Sequence, residues 1–503
     1  MTHKCLNYRV IHNIYSSIFY SIFNSQLLGN LSIKLDYFMV SYYISLLREV
    51  NMYQTYSISQ KLWLFIKLFT PMCITQFSLI GGTFIAIFLT GQYSTIDLAG
   101  VATGYNLWLL FYIFAQGTLL GITPIISQLL GAKKTNDIAT IFYQGLYIGT
   151  GLAFIILMIG LFGLQPLLTA LNLEPAAAEV CISYLKAFAI GLFPLLWVNT
   201  LRNTVDSHGL THYSMAIVFT SFVINVFLNY ALIFGHYGFP EIGGVGAGYG
   251  IAGACWTNFI LFSLVILFHP KLKGYRIYKD FKRPSFHYIR EQLQVGIPIG
   301  GSIFLEASIF SIAGLLMVHF GSAVVAAHQS VISFTNVFYC LPLSIAMAST
   351  IAVAYELGAG RKKEAIQYSY IARVMAIIIA LLICAFTFTN MDNIADLFTN
   401  DDEVYGLIYQ FLGYGVFFAA IDAIGTPLQG ILRAYKDVKI VLYISLVSYW
   451  GVCFPTAYTL AKNPNYGPFG VWIGLLASVV VAGILFTLRT YYIQHYKPRA
   501  ITK

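Results

Sequence analysis

Charge is the scarcest ingredient of this sequence. Only 20 Asp and Glu and 29 Lys and Arg stand among 503 residues, 10% in all, where a soluble globular domain carries about a quarter. So few charged side chains cannot cover a water-facing surface, which excludes a soluble fold. Cysteine offers no chemistry either. Cys5, Cys73, Cys181, Cys255, Cys340, Cys384 and Cys453 are scattered without CxxC or metal-ligand spacing; they read as small core residues rather than a zinc or disulfide framework. No nucleophile, metal or His constellation lies in the apolar runs, so nothing points to a membrane-embedded enzyme. A cleavable signal of basic start, apolar core and small-residue site is also missing, and the first span is expected to act as its own insertion signal.

What the chain has in abundance is long apolar runs. It is 58% hydrophobic with mean hydropathy +0.73, and stretches of about 20 residues recur, each long enough to cross a hydrocarbon core of about 30 Å. They are continuous rather than alternating, so they are helices. The expected spans are 64–90, 97–122, 138–163, 180–204, 213–235, 248–268, 294–319, 324–355, 366–389, 404–430, 439–461 and 468–490. The fold class is therefore an all-α polytopic membrane protein of twelve transmembrane helices. Pro71, Pro194, Pro298, Pro342 and Pro427 fall inside spans, where each frees a backbone carbonyl for kinking or ligand contact.

The net charge of +9 would hint at nucleic acid in a soluble protein, but here its position carries the meaning. Lys271, Lys273, Arg276, Lys279, Lys282, Arg283 and Arg290 crowd one central connection. Lys133, Lys134, Arg361, Lys362, Lys363, Arg433, Lys436 and Lys439 fill other alternate loops, and the loops between carry almost none. Basic loops face the cytoplasm, so both termini are expected inside, with the lipid bilayer rather than nucleic acid as partner.

An internal repeat organises these spans. Pro71 and Pro298 are 298 − 71 = 227 residues apart, and the turns LLGAKK and ELGAGRK align Gly131 with Gly358 at the same offset. The same shift lays LAGVATG on VAAHQSV and TVDSHGLTHY on ILRAYKDVKI. Two six-helix halves of like orientation follow, pseudo-symmetric about an axis along the membrane normal, with the pathway between them. The expected divisions are residues 1–60, an N-terminal extension with an alternative start at Met52 and an interfacial face built from Ile14 to Phe23; 61–268, the first lobe; 269–292, a basic linker; 293–492, the second lobe; and 493–503, a tail.

Against this apolar background one acid stands out. In GIPIGGSIFLEASIFSIAGLLMVHF, Glu306 lies near mid-span, where an acid costs about 2.5 to 3.5 kcal/mol on insertion scales and normally handles ions or substrate; a structural, protonated glutamate is the alternative. Asp422 has a similar setting in the tenth span, whereas the first-half equivalents are Leu79 and Leu195. Two such acids in one lobe can share a proton or ligate a small cation, so Na⁺ and H⁺ compete for the same oxygens. Phe304, Phe310, Tyr339, Tyr414, Phe417 and Phe418 are candidate lining for an apolar cavity, with core or lipid packing as the plainer role. Gln76 is a further candidate cavity contact. His328 titrates near neutral pH unless it serves a structural hydrogen bond. Lys186, Asp206 and Glu356 sit near span ends, where snorkelling or capping accounts for them.

Taken together, PIISQLLGAKK, NVFLNYALIFGHYGFPEIGGVGAG, FLEASIF, VAAHQS, ELGAGRKKEA and DAIGTPLQGILRAYKD resemble the multidrug and toxic compound extrusion (MATE) family, NorM-like branch, over residues 60–490. The resemblance implies two six-helix lobes in a plasma membrane of bacterial inner-membrane type. It implies a monomer that exports organic cations or drug-like compounds against Na⁺ or H⁺, without a cofactor. It makes Glu306 and Asp422 the coupling carboxylates, and the Na⁺ ligands if sodium is the ion; Asn225 and Asn229 in NVFLNY match polar positions of the fifth helix. Two departures stand out. The first-helix Asp of NorM-like members is replaced by Ala86 or Thr83, and the Tyr one turn before the tenth-helix Asp by Phe418. A lipid-linked oligosaccharide flippase of the same superfamily is the rival; such proteins place basic residues in the cavity, and the spans hold few.

Overall fold

A computed structural model describes residues 52, 54–170, 174–278, 280–399 and 401–496; the expectations for residues 1–51 lie outside them. The first lobe comprises α1 (Ile58–Tyr93), α2 (Thr95–Leu120) with its continuation α3 (Ile122–Gly131), α4 (Ile138–Ala170), α5 (Pro175–Ala189), α6 (Leu192–Ser207), α7 (Thr211–Phe234) and α8 (Val245–Phe268). A four-residue α9 (Pro270–Lys273) starts the linker. The second lobe follows with α10 (Phe286–Met317), α11 (Ser322–Gly358), α12 (Lys362–Thr389), the short α13 (Met391–Phe398), α14 (Asp402–Ala434), a composite span of α15 (Val438–Ser445), a π-helix (Leu446–Cys453) and α16 (Phe454–Ala461), and finally α17 (Phe469–His495). Among the described residues eleven helices are long and apolar enough to cross a membrane, and the pair α5 and α6, bent by 48°, makes a twelfth when counted as one span. Polar side chains set the starts: Ser57 and Gln60 form a capping box on α1, and Asp401 accepts from Glu403 and Val404 at the head of α14.

The bend falls within the span expected over 180–204, at the proline expected to free a carbonyl for kinking. Pro194 has no N–H to offer the carbonyl of Ile190, and the chain breaks there. At Pro71 the helix runs on unbroken, and the freed carbonyl of Lys67 accepts from Thr211 Oγ1 at 3.4 Å. Three acids or bases also depart from their expected settings. Arg433 is a buried residue in the last turn of α14 rather than a loop charge. Asp206 and Glu356 are buried and engaged rather than snorkelling; Asp206 pairs with Arg202 at 3.4 Å, and Glu356 with Arg361 at 3.4 Å.

The lobes meet along helix crossings at the end that carries the basic loops. A β-carbon on Gly117 would lie 2.6 Å from the Gly300 Cα, and one on Gly121 2.8 Å from the Gly296 Cα, so α2 and α10 approach backbone to backbone. The turns pack reciprocally: a β-carbon on Gly131 would strike the carbonyl of Tyr355, and one on Gly358 the carbonyl of Gln128. Gln128 and Tyr355 are themselves 227 residues apart, so the contact obeys the repeat's two-fold relation. Nearby, Gln128 Nε2 donates to the carbonyl of Ala434 at 2.8 Å. Ion pairing fastens one flank, where the fully buried Lys61 ammonium lies 2.5 Å from Glu364 Oε2, beside Arg361. At the repeat-related flank Tyr288 faces Asp137.

Candidate functional site

In α14 four polar residues recur at positions i, i+4, i+7 and i+11: Asp422, Thr426, Gln429 and Arg433. That spacing draws one stripe along a helix face, and all four are buried. The stripe turns towards α10, α11 and the π-helix. Gln429 Nε2 donates to Glu306 Oε2 at 3.5 Å, and Arg433 Nη2 donates to Gln429 Oε1 at 3.3 Å. Thr426 Oγ1 donates to Asp422 Oδ1 at 3.3 Å. The hydroxyls of Tyr339, from α11, and Tyr449, from the π-helix, face Glu306, and Asp422 lies within range of the Glu306 charge. Both carboxylates are about nine-tenths buried, each 8% exposed. The structure therefore gathers the two intramembrane acids into one site within the second lobe, with one guanidinium at the end of the stripe.

The π-helix has a positional effect. Its wider turn lies where Tyr449 meets Glu306 and where Trp450 Nε1 donates to Ser308 Oγ at 3.2 Å. Such turns are rare and recur at functional sites. No periodicity in LVSYWGVC announces it.

The other candidates are distributed. Phe418 is buried and meets Phe310 edge-on, ring centroids 5.5 Å apart, one turn from Asp422. Tyr414 packs on Phe469, Phe304 is half-buried, and Phe417 is exposed beside Phe388. His328 is buried against the edge of Trp472 at 5.3 Å, and its Nδ1 has no hydrogen-bond partner among the described residues. Asn225, Asn229 and Gln76 belong to the first lobe and do not join the carboxylates. Asn229 Nδ2 donates to Asn225 Oδ1 at 3.1 Å. Gln76 Oε1 accepts from Arg202 Nη2 at 3.1 Å, in a network completed by Asp206 and by Ser214, which donates to Asp206 Oδ1 at 2.6 Å.

The sequence reading missed Gln429, Arg433, Arg202 and the hydroxyl of Tyr449. The heptad-like stripe was the available signal for the first two, and the repeat marks the third: Arg202 and Asp206 occupy the positions of Gln429 and Arg433, each 227 residues earlier.

Comparison with known proteins agrees with this architecture. The MatE family profile matches twice, over residues 71–231 and 298–459, and the second match starts 298 − 71 = 227 residues after the first. A probable multidrug resistance protein NorM of Bacillus anthracis is 39% identical over 443 residues, 88% of this chain and 98% of the relative. Its namesake in Streptococcus pneumoniae strain R6 is 39% identical over 87% of this chain and 96% of its own length. Among solved structures, a multidrug resistance MATE family transporter in an outward-facing conformation superposes with TM-score 0.79 at 18% identity, covering 89% of this chain and all of that one. A Vibrio cholerae MATE transporter gives 0.76 at 21% identity, covering 86% and 97%. With twelve spans in two lobes, both halves matched by one profile, and relatives alike over nearly their whole length, the chain belongs to the MatE family of multi-pass membrane proteins.

Proposed function

We propose that this protein is a secondary active antiporter that exports lipophilic or cationic organic compounds in exchange for inward Na⁺ or H⁺, with Glu306 and Asp422 as its coupling carboxylates. The observation that carries the reading is the meeting of these two buried acids in one lobe, with the Arg433 guanidinium linked to Glu306 through Gln429. Buried charge demands compensation. A proton or a sodium ion supplies it when the site is loaded, and a cationic compound in the cleft supplies it when the site is empty. Competition between ion and compound for one charge deficit is what exchange requires. The names of the relatives support the compound class, since those proteins are described as multidrug resistance proteins.

The basic loops are assigned to the cytoplasm, which places both termini inside a bacterial-type plasma membrane. Each chain holds both lobes and the whole carboxylate site, so a monomer suffices. Residues 1–60 are assigned as an N-terminal extension and 493–503 as a cytoplasmic tail, and 269–292 joins the lobes.

The test is ethidium export from vesicles under an imposed Na⁺ gradient and, separately, a proton gradient, for the wild type, Glu306→Gln and Asp422→Asn. Export driven by either ion and lost in both variants is the expected result. Undiminished export by both variants would make the carboxylates structural and refute the mechanism. Absence of export together with translocation of a lipid-linked oligosaccharide would favour the flippase.

A further inference from the structure

Between the lobes, at the end that carries the basic loops, lies a small cavity lined by Met72, Leu120, Thr123, Asn203 and Asp206 from the first lobe and Met347, Thr350, Ile351 and Arg433 from the second. Three of its pairs are repeat-equivalent: Leu120 with Met347, Thr123 with Thr350, and Asp206 with Arg433 (433 − 206 = 227). The cavity therefore sits on the pseudo-two-fold axis. Leucine matches methionine and threonine matches threonine, but the third pair sets an acid against a base. Both charged side chains are nearly fully buried, and among the described residues Asp206 Oδ2 and Arg433 Nε have no hydrogen-bond partner. Asp206 Oδ2 is held only by its 3.4 Å ion pair with Arg202 Nε. Arg433 is held by its 3.3 Å bond to Gln429, whose amide donates to Glu306 at 3.5 Å.

We infer that Arg433 is the residue through which the ion-loading state of Glu306 reaches the lobe boundary. The inference rests on the coupling role proposed for Glu306. Arg433 has two carboxylates to answer: Glu306 in its own lobe, through Gln429, and Asp206 across the cavity. While Glu306 is ionised, its charge engages the guanidinium from within the lobe. Once Glu306 carries a proton or a sodium ion, its hold on the guanidinium through Gln429 is released, and Asp206, whose counter-charge is the 3.4 Å pair with Arg202, shares Arg433 across the cavity they both line, which strengthens the closure of the basic end. By linkage, the ion then binds more tightly when the basic end is closed and is released more readily when it opens. That is the order an importing ion needs if the basic end is cytoplasmic. Arg433 touches neither ion nor exported compound; it positions one lobe against the other.

The experiment measures the distance between spin labels on Lys134→Cys and Lys363→Cys, exposed residues of the two repeat-related turns, with native cysteines replaced, with and without the coupling ion. Ethidium binding by fluorescence serves as the check on folding. In the wild type, adding the ion is expected to shift the populations towards the closed basic end by about 5-fold or more, the low end of ordinary coupling between sites. Glu306→Gln is expected to be closed without the ion. Arg433→Gln and Asp206→Asn are each expected to lose the shift while still binding ethidium, the double variant to be no worse than either single one, and Arg433→Lys to keep part of the response. Should Arg433→Gln not fold, Asp206→Asn carries the test. A full shift in Arg433→Gln or Asp206→Asn, or additive losses in the double variant, would overturn the inference while leaving the coupling role of Glu306 intact. A wild-type response in Glu306→Gln would overturn both.

Discussion

The crossing of α2 and α10 leaves no room for one more atom, and Gly300→Ala adds one. The new β-carbon would stand 2.4 Å from the carbonyl oxygen of Phe114, 2.6 Å from Thr118 Oγ1 and 3.0 Å from the Thr118 nitrogen. Two of these are backbone atoms of a packed helix, so the side chain cannot be accommodated by a rotamer change. Overpacking of this kind costs about 1 to 3 kcal/mol. The cost falls only on the state in which the lobes touch here, because Phe114 and Thr118 belong to the first lobe and Gly300 to the second. The helical gain from replacing Gly by Ala, about 0.5 to 1 kcal/mol, is common to open and closed states and cancels. The ratio of open to closed basic end should therefore rise by about 5-fold to 150-fold, read as the distribution of distances between labels on Lys134→Cys and Lys363→Cys. The control is Gly314→Ala in the same helix, where a β-carbon meets nothing within 4 Å. Identical distributions for Gly300→Ala and Gly314→Ala would refute the claim that this crossing holds the basic end closed.

Glu364→Ala strands the Lys61 ammonium, which is 0% exposed; thermal unfolding in detergent should show a loss of about 3 to 5 kcal/mol, most of it recovered when Lys61→Met is added. At the end of α6, outside the spans, burial pushes His208 down to about 4 from its ordinary 6.5, while its ring bonds the Thr204 carbonyl at 2.7 Å and the Tyr275 hydroxyl at 3.0 Å. The folded protein thus takes up the proton later than the unfolded chain does. Stability from this residue is full above about pH 6.5 and lost as pH falls towards 4, roughly 3 kcal/mol in total. His208→Gln should remove that part of the acid sensitivity, and a pH profile of unfolding identical to wild type would contradict the assignment.

The spans were legible because length and apolar continuity leave helices no alternative in a bilayer, and the offset of 227 because turns retain their backbone requirements. Gly209 and Lys436 both take positive φ, 78° and 55°, one offset apart, and so do Lys133 and Gly360. The acids were legible for the opposite reason, as costly exceptions in apolar runs. Illegible were the partners. Arg433 reads as a loop charge because a basic residue before YKD looks like one more member of a basic turn, and only the register with Asp422, Thr426 and Gln429 turns it inward. Asp206 was obscured likewise by its nearness to a span end. The π-helix that brings Tyr449 to Glu306 has no composition of its own, whereas the break before Pro194 is marked by the proline itself but not by the size of the bend, 48°.

The duplication has been kept and lost in different places, and the division is physically ordered. At the turns and at part of the axial cavity equivalence holds: Gly131 and Gly358 seat each other's turns, and Thr123 and Thr350 line one cavity. A boundary that must have two alternative arrangements is best served by two like surfaces, because discrete repacking needs matching steps on both sides. Inside the lobes equivalence fails. Tyr112 and Tyr339 remain a pair, but Tyr112 faces Asn199 while Tyr339 faces Glu306. Leu79, Leu195 and Phe222 stand where the second lobe has Glu306, Asp422 and Tyr449. With acids in both interiors, one lobe's loading would oppose the other's across the same boundary. Confining them to the second lobe, and setting Asp206 against Arg433 on the axis, gives the boundary one input and one direction of response, which is what ion-driven alternation between two like halves demands.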